Sequence, residues 1–273
     1  MVNKDTQLCI SLASRSGNFG TILHNAAYAA LELNFIYKAF GISDIAGALT
    51  GVRALNIRGC SVSMPFKEVV LPLLDDLDET ARVVGAVNTI VNNEGILTGY
   101  NTDVFGACKA LESIRAEPNE KVLLLGAGGV ARAIVFSLRK IGFINLQVSN
   151  RDQTKTQCLN SILPCEIVPW EVRHKIKADI LINATSVGMS PESGDSPIDY
   201  EFLTHTRAVM DVVVNPLETR LINLARAMEK EVAPGYLMSL EQAKEQFRLY
   251  TDEIPPNDVM EKCIENLLKK EKY

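Results

Sequence analysis

Two parts of this 273-residue chain combine residue types and spacings that suit chemistry. The first is Gly126-Ala127-Gly128-Gly129-Val130-Ala131, directly after the apolar run Lys121 to Leu125. A glycine-rich turn between a buried strand and a helix is suited to a pyrophosphate. The first glycine permits a tight turn, the second lets the backbone approach the phosphates, and small residues beyond let the helix pack on the strand. The free N–H groups at the helix start then face the anion. A second strand, Asn145 to Ser149, ends in Asn150-Arg151, with Lys155 one helical turn further on. An acid at that place would bond the ribose hydroxyls, whereas a planar, permanently charged guanidinium suits a phosphate. The reading is NADP. Asp152 keeps NAD open, because a carboxylate beside Arg151 would repel a 2′-phosphate or occupy the arginine. It would equally serve as the N-cap of the next helix.

The second part is Val62-Ser63-Met64-Pro65-Phe66-Lys67-Glu68, which sets a lysine just beyond a strand that the proline stops. In open α/β sheets ligands bind outside the carboxyl ends of strands. Lys67 is placed to meet one, or it is a solvated lysine at a helix start, where the dipole disfavours it. Gly85 to Thr89 and Gly99 to Asp103 bring short polar groups to the two ends of a hairpin, with Asn88 and Asp103 candidates to converge near Lys67. A lysine beside an aspartate is a proton-transfer pair: the lysine works on a substrate oxygen, and the aspartate sets its charge and position. Asp103 is also suited to cap a helix beginning near Val104.

These residues need a framework of alternating strands and helices. In the first hundred residues the pattern predicts strands at 8–13, 35–40 and 57–64. It predicts helices at 21–33 and 44–55, another running to Leu74, one across 78–82, and a hairpin of 89–92 with 96–100 around Asn93-Glu94-Gly95. Beyond a linker-like stretch at 115–120 come strands at 121–125, 145–149, 165–168, 178–184 and 207–214. Helices at 128–140, 152–163 and 217–230 accompany them. Two helices, 239–250 and 256–270, follow the nucleotide unit and are expected to pack back on the first half. The expected fold is α/β, with βαβ units and mainly parallel sheets.

Composition narrows the function. The net charge of −5 comes from interspersed acids and bases, with no basic run for nucleic acid and no apolar stretch of membrane-spanning length. The six cysteines form no CxxC pair, and the three histidines have no ligand spacing. The expectation is a cytoplasmic protein without disulfides or a metal site, acting on a small molecule.

Several motifs together resemble the shikimate dehydrogenase family: Met64-Pro-Phe-Lys-Glu68, Gly85-Ala-Val-Asn-Thr89, Gly99-Tyr-Asn-Thr-Asp103 and Gly126-Ala-Gly-Gly129. Asn150-Arg151, Asn183-Ala-Thr-Ser-Val-Gly-Met189, Asn215-Pro216 with Thr219, and Gln242-Ala243 extend the likeness, in the family's order and over nearly the whole chain. The resemblance implies a substrate domain (1–103 plus 238–273), a Rossmann NADP-binding domain (104–237), and an active-site cleft between them. It implies the reversible interconversion of 3-dehydroshikimate and shikimate. Carried over by position, Lys67 and Asp103 are the catalytic pair, while Ser63, Asn88 and Gln242 contact substrate. Gly126, Ala127, Gly128, Gly129, Val130, Asn150, Arg151, Lys155 and Thr185 contact the cofactor, with Met189 and Gly235 near the nicotinamide. The protein is expected to be a monomer or homodimer whose partner is a cyclic hydroxy acid.

The likeness fails where the family holds the substrate carboxylate. Counting back without a gap from Leu23-His24-Asn25, Asn18-Phe19-Gly20-Thr21 stands where the family has Ser-x-Ser-Pro, so Asn18 and Gly20 take the places of the paired serines, and Asn18 and Thr21 are left to restore part of their contacts. His24 is then structural. Ser61 stands in place of an asparagine, Val214 in place of a tyrosine and Asp152 in place of a threonine. Losing a hydrogen bond to a charged group costs about 1.5–3 kcal/mol, roughly ten- to a hundredfold per contact. The expectation is an oxidoreductase weak on shikimate. The alternatives are an NAD-dependent quinate/shikimate dehydrogenase and a non-catalytic nucleotide-binding sensor.

Overall fold

The structure, a computed structural model, describes residues 2–271, without the side chains of Gln153 and Cys158. The chain divides into two compact units, Met1–Thr102 with Leu240–Tyr273, and Asp103–Ser239.

The first unit is built on six strands: β1 (Gln7–Ala13), β2 (Phe35–Gly41), β3 (Gly59–Val62), β4 (Asp76–Leu77), β5 (Thr89–Asn93) and β6 (Ile96–Tyr100), in the order β2-β1-β3-β5-β6-β4. Helices α1 (Phe19–Ala30) and α2 (Ile45–Ala54) connect the parallel strands β1, β2 and β3. Cys9, Ile10, Leu12 and Ala13 are all buried, because β1 is interior to the sheet and covered on both faces. The β5–β6 hairpin runs antiparallel and makes the sheet mixed. Its turn places Glu94 at φ 54° and Gly95 at φ 92°, the left-handed pair that matches strand twist in a two-residue loop.

Two features of this unit depart from the expected pattern. The third strand is only Gly59–Val62, since Ser63 O already accepts from Phe66 N–H in a turn (2.9 Å). The helix expected to run to Leu74 stops as α3 (Phe66–Val69) and continues as a 3-10 turn at Leu71–Leu73, where Pro72 has no N–H to donate. Helix α4 (Glu79–Val84) follows, capped by Asp78.

The second unit carries α5 (Asp103–Ser113) and a six-stranded sheet of β7 (Val122–Leu125), β8 (Leu146–Ser149), β9 (Glu166–Val168), β10 (Ile180–Asn183), β11 (Ala208–Asp211) and β12 (Glu231–Ala233). The order is β12-β11-β10-β7-β8-β9, parallel throughout. This is the doubly wound arrangement, and its order reverses between β7 and β10. Connecting helices are α6 (Gly129–Ile141), α7 (Gln153–Asn160), α8 (Tyr200–Leu203) and α9 (Arg220–Ala227). The helix expected at 217–230 is shorter because Thr219 caps it, accepting from Ile222 N–H (3.3 Å). Glu229, in the left-handed region, then turns the chain into β12, an edge strand too short to announce itself by alternation. Helices α10 (Gly235–Thr251) and α11 (Asn257–Glu271) end the chain.

One face of α1 buries His24 and Tyr28 among Tyr37 of β2 and Phe247 and Tyr250 of α10. The imidazole stacks on Tyr37 at 4.4 Å between centroids, and neither ring nitrogen makes a hydrogen bond. Burial lowers its pKa to about 4, only partly opposed by the Gln246 amide. His24 is therefore a neutral core residue, and protonating it works against folding. The unfolded chain binds that proton from about pH 6.5 downward and the folded chain only near pH 4, so stability falls as pH falls through this window. The expected loss between about pH 7 and about pH 5 is about 2 kcal/mol. Urea unfolding of His24→Phe and the wild type at both pH values measures it. The variant should lose about 2 kcal/mol less than the wild type; equal losses would place the proton elsewhere.

Candidate functional site

In the first unit, the chain leaves the carboxyl end of β3 through Ser63, whose N–H donates to Leu12 O (2.9 Å). Phe66 is buried, and the Lys67 carbonyl accepts from Val87 N–H (2.8 Å). The backbone of Lys67 is thus pinned on both sides, and the residue is partly buried just beyond the strand. Ser63 is exposed.

Asn88 organises the same edge. It is buried, and its Oδ1 accepts from Thr89 Oγ1 (2.8 Å), Thr102 N–H (2.8 Å) and Thr102 Oγ1 (3.2 Å). Its main chain bonds Val62 N–H (2.8 Å) and Tyr100 O (3.1 Å). One amide therefore ties the ends of β3, β5 and β6 to the residue immediately before Asp103. Asp103 is itself buried and is the first residue of α5. Gln246 of α10, not found from sequence, donates to Thr89 Oγ1 (2.9 Å) and Asn88 O (3.4 Å). Gln242 lies one helical turn earlier on the same face, partly buried. Asn18 is the N-cap residue of α1, but its side chain does not cap and is exposed. Thr21 differs: its hydroxyl is buried and has no hydrogen-bond partner.

In the second unit, Gly126, Ala127 and Gly128 line a cavity of ≈ 280 Å³ with Asn150, Arg151, Lys155 and Thr185. The cavity lies at the switch point, bounded by the turns after β7, β8 and β10. Met189 and Gly235 do not line it, nor do Gly129 and Val130, which begin α6. Trp170, the only tryptophan of the chain, and Val187 line it and were missed. A larger hollow of ≈ 760 Å³ sits around Lys121, Asn145 and Gln147, at the opposite ends of the strands from the glycine turn.

The two turn glycines act differently. Gly126 has φ 110°, and a Cβ there would meet the Ala184 carbonyl oxygen at 2.7 Å, so it is needed for the turn itself. At Gly128 a Cβ would meet no protein atom, and the backbone is ordinary (φ −82°, ψ −171°). The space beside it is open and belongs to the cavity that it lines. Gly235, by contrast, has no room for a side chain against the Val213 carbonyl.

Asp152 resolves as an N-cap. Its carboxylate accepts from Thr154 N–H (3.1 Å) and Thr154 Oγ1 (2.6 Å), which hold its pKa below the usual carboxylate value, and Lys155 Nζ lies 3.8 Å away. Arg151 is exposed and, among the described residues, has no charged or hydrogen-bonding partner.

Among the described residues no group of histidine, cysteine and acidic side chains could hold a metal, and no helix is long and apolar enough to cross a membrane. Cys9, Cys60, Cys108, Cys165 and Cys263 are free thiols; the Cys158 side chain is outside the described residues.

Comparison with known proteins gives this geometry its context. A sequence model of the shikimate dehydrogenase substrate binding domain matches residues 18–90. A shikimate dehydrogenase-like protein of Haemophilus influenzae is 42% identical over 262 residues, spanning 95% of this chain and 96% of that protein. The chain belongs to the shikimate dehydrogenase family. The family's fold extends over the whole molecule. The solved structure of a shikimate 5-dehydrogenase-like protein has 41% identity, a TM-score of 0.89, and coverage of 98% of this chain and 99% of that one. Shikimate 5-dehydrogenase from Thermus thermophilus, in complex with NADP(H) and shikimate, has 31% identity and a TM-score of 0.85, covering 96% of this chain and 100% of that one. Family membership makes the chain a dehydrogenase.

Gly128→Ala is expected to leave thermal stability within error and to weaken NADP binding at least tenfold, read from Trp170 fluorescence. Gly126→Ala is expected to lower stability as well, because its φ and the Ala184 contact strain any side chain. Unchanged NADP affinity in Gly128→Ala would remove the cavity from the nucleotide site.

Proposed function

We propose that the chain is an NADP-dependent dehydrogenase of a carboxylate-bearing cyclic alcohol of the shikimate class, slow on shikimate itself. The observation that carries the reading is a partial inheritance. Lys67, Asn88, Asp103 and the glycine turn remain as in the family's motifs, whereas Asn18 and Gly20 stand in place of the paired serines, and the nearby Thr21 hydroxyl is buried.

NADP fits the second unit. Gly128 leaves the backbone open to a pyrophosphate, and the exposed Arg151, with Lys155, suits a 2′-phosphate. Asp152 does not oppose this, since its carboxylate is taken up in capping α7. Bound in this place, the nicotinamide supplies the hydride acceptor in oxidation and the donor in reduction.

The proton belongs to the protein. In oxidation, the Lys67 amine takes the proton of the substrate hydroxyl as the C–H electron pair leaves, and in reduction it returns that proton to the carbonyl oxygen. Asp103 sets the charge and orientation of the amine. Asn88, held by three donors on its Oδ1, and Gln242 bond the remaining hydroxyls. At the start of α1, Asn18 is left to meet a carboxylate without the second hydroxyl that the family's signature has, and Val214 offers none. Each missing contact to a charged group costs roughly ten- to a hundredfold.

Initial rates with shikimate and quinate, each against NADP and NAD, test the reading through the absorbance of the reduced cofactor. The expected result is NADP-dependent oxidation of shikimate with kcat well below the ~10 s⁻¹ typical of enzymes. Lys67→Ala should lower kcat by about 10²–10⁴. Arg151→Ala should raise KM for NADP about tenfold and leave KM for NAD unchanged. Ordinary turnover of shikimate would overturn the slow reading, and an unchanged rate in Lys67→Ala would overturn the assignment of the proton.

A further inference from the structure

A buried carboxylate in the second unit serves no step of this mechanism. Asp211, the last residue of β11, is 1% exposed and pairs in register with Asn183, the last residue of β10. Its Oδ1 accepts from Asn183 Nδ2 (3.0 Å) and Val213 N–H (3.1 Å), and its Oδ2 accepts from Thr219 Oγ1 (2.7 Å). Isolated burial of a carboxylate is expensive, and burial does push this pKa up, to about 6 against those three donors. A group kept at such cost invites the question of what it holds in place.

The bonds lead to the cofactor cavity. Asn183, oriented by Asp211, accepts on its Oδ1 from Thr185 N–H (3.1 Å) and Thr185 Oγ1 (2.7 Å), and its Nδ2 also reaches the Val187 carbonyl (3.2 Å). Thr185 Oγ1 in turn accepts from Val187 N–H (3.1 Å). Ala184 to Val187 form one wall of the cavity, facing the turns of Gly126 to Gly128 and Asn150 to Asp152. On its other side Asp211 anchors Val213, the residue whose carbonyl leaves no room for a side chain at Gly235, and the cap of α9. Ser190 N–H donates to Asn215 O (2.8 Å) and joins the two loops beyond. Asp211 is thus the node at which the turns after β10 and β11 and the start of α9 are tied together.

We propose that Asp211 is a positioning residue for cofactor binding: through Asn183 it fixes the Thr185–Val187 wall that the dinucleotide packs against. It rests on the NADP reading above. Asp211 touches neither the cavity nor Arg151, so its effect is blind to the 2′-phosphate. Removing its carboxylate weakens NADP and NAD alike, whereas removing Arg151 acts on NADP alone.

Dissociation constants for NADP and NAD, from Trp170 fluorescence at a temperature where circular dichroism shows each variant folded, test this. Asp211→Ala is expected to bind both cofactors about tenfold more weakly, with their ratio unchanged. Asp211→Asn, which keeps the shape and an acceptor for Asn183, is expected to return to within about threefold of the wild type. If Asp211→Ala does not fold, Thr219→Val, which deletes the bond to Oδ2 together with the cap on Ile222 N–H, should weaken both by about threefold. Unchanged affinities in a folded Asp211→Ala or Thr219→Val, a changed NADP-to-NAD ratio, or no recovery in Asp211→Asn would each overturn the proposal. Failure of the wild type to bind either cofactor would instead overturn the NADP reading on which it stands.

Discussion

The nucleotide half of this protein depends on a backbone approach that no side chain tolerates. At the end of β7 the chain turns through Gly126 so close to Ala184 that a methyl group would meet the carbonyl oxygen. Everything on that edge follows from the approach. The turn leads into α6, it brings the loops after β7 and β10 together at the switch point, and it leaves a cavity between them that Arg151 and Trp170 border. The physical content is steric: backbone has to occupy the space where any other residue places its Cβ.

Each unit solves the problem of loops at strand ends with a buried asparagine. Asn88 gathers Thr89, Thr102, Val62 and Tyr100 in the first, and Asn183 gathers Thr185, Val187 and Asp211 in the second. An amide carries an acceptor and two donors on one planar group, so it can satisfy several backbone groups that the end of a strand leaves unpaired. Residues that meet a ligand are then held by the backbone of their own loops rather than by long, flexible side chains. Lys67, proposed above as the proton-transfer group, has its backbone set in this way by the buried Phe66 and by the Val87 amide.

Two of the buried titratable groups, His24 and Asp211, have opposite effects on stability as pH changes. His24 is kept neutral by burial among aromatic rings, and acid acts against it, so its contribution is lost as pH falls from about 6.5 toward 4. Asp211 has its pKa raised, so the folded state holds its proton more tightly, and its contribution is lost as pH rises from about 3.8 through about 6. The aromatic packing around His24 explains why a histidine within the family's signature is structural here: both nitrogens are shut off from solvent, and neither makes a hydrogen bond.

What the sequence determined by itself is local. Glycine spacing after an apolar run, a proline ending a strand and an Asn-Glu-Gly turn between alternating segments each act over a few residues. From them the glycine turn, Lys67, the hairpin and most elements were legible, as was the α/β class. The tertiary structure decided the rest, because those contacts join residues far apart in the chain. Gln246 bonds Thr89 from 157 positions away, and Asp211 bonds Asn183 from 28. Trp170 reaches the cavity from a 3-10 turn that has no periodic signature, and the edge strands β4 and β12 exist only because a neighbour offers them a ladder. Asp152 shows the boundary well. Its sequence position allowed a cap or a competitor for Arg151, and only folding, by setting Thr154 N–H and Oγ1 against its carboxylate, chose the cap.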